Sequence, residues 1–162
     1  MLKKINEVRE AIKYGLYNCA LALALTLPDN CASTEYTDKS NKKEHYVNWF
    51  DKYAKPLFTS VATVLPSNEQ KEVILLNGEE CWNLRCAVLH AGNFRLKNNQ
   101  IISLHVHTGN TEIHSHSIKD GPYMEYELIE LCNNICDAVE RYYYENKEKM
   151  DSYIEDVRIL TW

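Results

Sequence analysis

Ile5, Val8, Ile12, Leu16, Cys19, Leu23 and Leu27 follow one another at steps of three and four, the spacing that gathers apolar side chains on one face of an α-helix. The pattern predicts one long amphipathic helix over about residues 3–27, stopped by Pro28 and Asp29. Such a face must be covered, and other segments carry the same period. Tyr46, Trp49, Phe50, Tyr53 and Leu57 predict a second helix that stops near Pro56. From Glu79 the run Trp82, Leu84, Cys86, Val88, Leu89 and Ala91 is apolar nearly all round, as in a short buried third helix, with Gly92 placed to cap it. Leu128, Leu131, Cys132, Ile135, Val139, Tyr142 and Tyr143 predict a fourth helix over about 124–149. Only 5 glycines and 4 prolines occur in 162 residues, which disfavours architectures built from many tight turns. The expected fold is mainly α, one domain over 1–162, with a tail from about 150 that docks back or meets a partner.

Two polar stretches separate these helices. Residues 30–45 read as a surface loop with a small basic cluster, in which Lys42 and Lys43 could touch a phosphate or merely be solvated. Residues 59–77, with Pro66, Ser67 and Asn68, read as a second linker. A β-hairpin is expected at about 101–117, where Ile101–His107 and Thr111–Ser117 alternate in character around Thr108-Gly109-Asn110. In that register one face carries Ile102, Leu104, Val106 and Ile113 and packs on the helices. The other carries His105, His107, Glu112, His114 and His116. Imidazoles so arranged can converge on a transition metal, although a half-exposed strand needs polar residues outside in any case.

The 23 acidic and 18 basic side chains give a formal charge of −5, which excludes a general nucleic-acid coater and leaves only local contact with RNA or DNA. The longest apolar run, Cys19 to Leu27, falls short of the roughly 20 residues needed to span a bilayer, so a cytoplasmic protein with no membrane association is expected. Of the six cysteines, Cys132 and Cys136 sit four apart in a helical pattern and Cys19, Cys81 and Cys86 fall among core-like residues; with no C-x-x-C pair, they read as reduced, packed thiols.

Arg85 and His90 stand out because a charged residue on an apolar helix must be paired or face a cleft. Five residues advance an ideal helix by about 140°, so the two do not strictly share a face. An arginine beside a proton-transferring histidine suits phosphoryl transfer. The structural alternative pairs Arg85 with an acid such as Glu79 or Asp51.

The segment Asn83-Leu84-Arg85-Cys86-Ala87-Val88-Leu89-His90-Ala91-Gly92-Asn93 resembles the R-x4-6-H signature of the HEPN superfamily. More closely, the chain resembles uncharacterised bacterial proteins with an L-R-C-x-L-L-H-x-G-N-like segment. Those also carry a Pro-Asp-x-Cys stretch, here Pro28-Asp29-Asn30-Cys31, and a Tyr-x-x-Trp-Phe-x-x-Tyr helix, here Tyr46 to Tyr53. The resemblance implies an up-and-down helical bundle that pairs as a homodimer, so that two R-x4-H helices line one cleft. It also implies a metal-independent endoribonuclease, a toxin or phage-defence component, in which 2′-hydroxyl attack leaves a 2′,3′-cyclic phosphate. No cofactor is needed. His90 would be general base or acid, Arg85 would hold the phosphate, and Asn93 and Asp51 would stand behind them. An antitoxin partner would belong with a toxin. Active members tend to have a polar residue directly after the arginine, where this chain has Cys86. Two alternatives stay open: a non-catalytic module binding a nucleotide or a partner, and a metal-binding protein using His105, His107, His114 and His116.

Overall fold

The computed structural model describes residues 1–38, 40–64, 68–91, 101–106, 118–120 and 123–154, and they are mainly helical. The first apolar stripe forms two helices, α1 (Leu2–Lys13) and α2 (Tyr17–Glu35). The break is Gly15, at φ +71°, where Gly15 N–H donates to Ile12 and Leu16 N–H to Ala11. These two bonds close a helix end of the Schellman type, which needs a left-handed residue at its turn.

Contrary to expectation, α2 does not stop at Pro28 but runs through it to Glu35. Proline removes one helical hydrogen bond, yet α2 is the central helix and packs against α1 and four later helices, α3 (Lys42–Trp49), α4 (Gly78–Cys86), α5 (Leu128–Glu145) and α6 (Lys147–Ile154). Burial of Leu21, Leu25, Leu27 and Cys31 on these neighbours outweighs the lost bond. The polar loop therefore shrinks to the residues between Glu35 and Lys42.

α3 (Lys42–Trp49) continues as a π turn over Phe50–Ala54 and a 3-10 turn over Lys55–Phe58. Its aromatics are core, as their spacing implies: Tyr46, Trp49 and Phe50 are fully buried. At its far end the Glu35 carboxylate accepts hydrogen bonds from Tyr142 Oη at 3.0 Å, Lys52 Nζ at 3.0 Å and Tyr53 Oη at 3.1 Å, tying α2 to α3 and to α5 (Leu128–Glu145).

The stretch read as a linker holds an antiparallel pair, β1 (Thr59–Val64) and β2 (Glu69–Ile74), with Thr59 opposite Ile74 and Val64 opposite Glu69. The β-branched run of β1 is the signal for it. Of the hairpin expected at about 101–117, the described residues hold the first strand. Strand β3 (Ile101–His105) takes as its partner, among the described residues, β5 (Tyr123–Glu127), in parallel. The short β4 (Ile118–Asp120) lies antiparallel on the other side of β5. Residues 107–117, and with them His107, His114 and His116, lie outside the described residues. Leu104 and Val106 do pack against the core.

The fourth helix starts at Leu128 because Glu127, at the end of β5, caps it by accepting the Glu130 N–H at 2.6 Å. A further helix, α6 (Lys147–Ile154), follows. All six cysteines are free thiols. No helix among the described residues is long and apolar enough to cross a membrane.

Candidate functional site

α4 (Gly78–Cys86), which bears Arg85 and leads into the turn that bears His90, is fixed at its start. Asn77 accepts the Glu80 N–H at 2.9 Å while the Glu80 carboxylate accepts the Asn77 N–H at 3.1 Å, the reciprocal cap expected of this residue pair. Asp51, from the π turn after α3, accepts the Gly78 N–H at 2.8 Å. Gly78 also lies so close to α3 that a Cβ there would meet the Val47 carbonyl oxygen at 2.4 Å. Asp51 thus anchors this helix rather than lining the cleft described below. Lys43 pairs with Glu79 at the same end.

After Cys86 the helix widens into a π turn over Ala87–Ala91. Such a turn closes i→i+5 hydrogen bonds, so residues five apart are brought over one another. Arg85 Nη1 and His90 Nε2 consequently lie 3.0 Å apart. Arginine has donors only, so a hydrogen bond here has Nε2 as its acceptor and calls for the Nδ1–H tautomer of His90.

On its other edge Arg85 is held by Asp29, with Nε and Nη2 each 3.2 Å from Oδ2. Its Cζ lies 4.9 Å over the Trp82 ring, a cation–π contact. The acid paired with Arg85 is therefore Asp29 of α2, and not Glu79 or Asp51. Burial pushes the Asp29 carboxyl above its usual range, against the opposing pull of Arg85 and, more weakly, Lys42. His90, in contrast, is exposed.

A cleft of about 460 Å³ opens beside this pair. α2 supplies Asp29, Ser33 and the residue after it, Tyr36; Asp38 comes from the loop; α3 supplies Lys42 and His45; Arg85 closes the end. The Tyr36 and His45 rings stack, with centroids 4.8 Å apart and planes 15° from parallel. Asp38 accepts from Ser40 N at 2.9 Å and Ser40 Oγ at 2.7 Å, and these bonds, with a smaller contribution from His45, hold its carboxyl below the ordinary range.

Of the residues singled out in the sequence, Arg85 and Lys42 line the cleft, while His90 touches Arg85 without being part of the lining. Asn93 lies outside the described residues. His105 is remote in topology, on β3, where Nδ1 lies 3.5 Å from Glu125 Oε1. Among the described residues no group of three or more His, Cys, Asp or Glu is placed to hold a metal. The residues that sequence reasoning missed are Ser33, Tyr36, Asp38 and His45, together with Asp29 as the partner of Arg85. Their signal was present, since Asp29, Ser33 and Tyr36 sit at i, i+4 and i+7 of a helix, but it is visible only if the helix continues past Pro28. No family model, no curated protein and no solved structure matches the chain.

Proposed function

We propose that this protein is a HEPN-like endoribonuclease that cleaves RNA by metal-independent transesterification in the cleft beside Arg85 and His90. The observation that supports this reading best is the 3.0 Å contact of His90 Nε2 with Nη1 of Arg85, an arginine that lines a polar cleft. In the reaction, a phosphate oxygen takes the Nη1 hydrogen bond from His90. That frees Nε2 to accept the proton of the 2′-hydroxyl, whose oxygen then bonds to phosphorus. The bond from phosphorus to the 5′ oxygen breaks, and that oxygen takes a proton from solvent. The products are a 2′,3′-cyclic phosphate and a free 5′-hydroxyl. Arg85 stabilises the charge that grows on the non-bridging oxygens, the usual role of fixed donors around a transition state. Looped or single-stranded RNA is the preferred substrate, because a splayed backbone enters a cleft that an A-form helix cannot. A homodimer placing two such clefts together, in the manner of HEPN pairs and held in check by an antitoxin, is part of the same proposal.

A second reading has its own support. Arg85 already pairs with Asp29, and an arginine so held could anchor a nucleotide phosphate without turnover. End-labelled structured RNA incubated with the protein in EDTA separates the two. Cleavage with cyclic phosphate ends supports the nuclease. A nucleotide-dependent rise in melting temperature, with RNA left intact, supports the binding module.

A further inference from the structure

We infer that the Tyr36–His45 ring pair is a nucleobase platform, so that the cleft takes a ribonucleotide with its phosphate at Arg85 and its base against this stack. The inference rests on the proposed role of Arg85 for the phosphate half only. A nucleotide needs three things from a protein surface: a flat apolar face for the base, a cation for the phosphate, and polar groups for the sugar and base edge. All three line one cleft here.

The flat face is the stacked pair, two half-buried rings 4.8 Å apart. They come from different elements, Tyr36 from the end of α2 and His45 from the second turn of α3, so the stack is a tertiary feature of the cleft wall. The cations are Arg85 and Lys42, and the polar groups are Ser33 and Asp38. A volume of about 460 Å³ falls in the range of small-molecule sites, roughly 300–1,000 Å³. Asp38, fixed by its two bonds to Ser40, is an acceptor and so meets the N–H groups of a base edge. Stacking of this kind tolerates any base, because every base presents a π face.

Calorimetric titration with inorganic phosphate, adenosine and adenosine 3′-monophosphate tests the inference. Wild-type protein should bind the nucleotide more tightly than phosphate, and adenosine alone measurably. In Tyr36→Ala the ratio of phosphate to nucleotide Kd should fall by roughly 5- to 100-fold, the loss expected for one aromatic stack. Tyr36→Phe should restore it, and His45→Ala gives the same test from the other ring should Tyr36→Ala fail to fold. An unchanged ratio in folded Tyr36→Ala or His45→Ala overturns the platform, as does wild-type protein that binds nucleotide no better than phosphate. Adenosine binding lost in Tyr36→Ala, in a protein that never binds phosphate, keeps the platform and removes the Arg85 reading. If none of the three compounds binds, the platform falls.

Discussion

Arg85 Nη1 donates to His90 Nε2 across five residues of chain, and it reaches that atom because the helix between them widens into a π turn over Ala87–Ala91. In a regular α-helix the two side chains would project about 140° apart. The same guanidinium is gripped on its other edge by Asp29, so one arginine links the proton-accepting histidine on its own helix to a carboxylate on α2. π turns recur at functional sites because they re-aim side chains at some cost in helix stability.

The Asp29 pair gives a pH signature. Burial raises the folded-state carboxyl above its unfolded value, so its contribution to stability is fully present below the ordinary carboxylate range, about pH 4. It is lost as pH rises through the raised value. Asp29→Asn removes this dependence. The melting temperature of wild type minus that of the variant should be larger near pH 4 than near pH 7. A difference that grows toward neutral pH would contradict the assignment.

Gly78 sets the approach of α4 to α3. A methyl group at this position meets the Val47 backbone at 2.4 Å, and backbone cannot swing aside as a side chain does. Gly78→Ala should destabilise the protein by about 1–3 kcal/mol, the range for an overpacked contact. Urea denaturation with an unchanged m-value checks this. A variant as stable as wild type would show that the two helices separate freely.

Glu35 is the polar hub at the C-terminal end of α2. Burial tends to raise its carboxyl, but the bonds from Lys52, Tyr142 and Tyr53 outweigh that and leave it below the ordinary range. Its stabilising effect is therefore present above the usual carboxylate range and fades as pH falls through the lowered value. Glu35→Gln should cost about 1–3 kcal/mol at neutral pH, the range for hydrogen bonds to a charged group. That deficit should shrink below about pH 4. A deficit constant across pH would mean that packing alone is involved.

The thiols predict a labelling pattern. Cys31, Cys81, Cys132 and Cys136 are buried while Cys19 is exposed, and burial pushes Cys81 and Cys136 up to about 12. Because the thiolate is the reactive form, an aromatic disulfide reagent should label Cys19 fast, Cys86 slowly, and the other four only on unfolding. Rapid native labelling of Cys132 or Cys136 would show that α5 opens.

Much of the helical framework was legible because apolar spacing of three and four is a direct consequence of helix geometry. The end of α1 was not, since Gly15 interrupts the stripe without disturbing its period. Pro28 misled in the opposite sense: it is a local helix breaker overridden by the burial of Leu25, Leu27, Cys31 and Pro28 itself within the core. That one boundary hid Ser33 and Tyr36, and with them most of the cleft. Arg85 and His90 were found by residue type and by resemblance, but their meeting depends on a π turn that no periodicity announces. The parallel pairing of Ile101–His105 with Tyr123–Glu127 was likewise invisible, because alternation marks a strand without naming its partner.

The central claim is that Arg85 and His90 act as one unit on RNA, and a double-mutant cycle of single-turnover cleavage in EDTA tests it most directly. Wild type should cleave a looped RNA to cyclic phosphate ends, and Arg85→Ala and His90→Ala should each lose roughly 10²- to 10⁴-fold. The double variant should be little worse than either, as for residues that work together. Additive losses, or full activity in either single variant, would contradict the account.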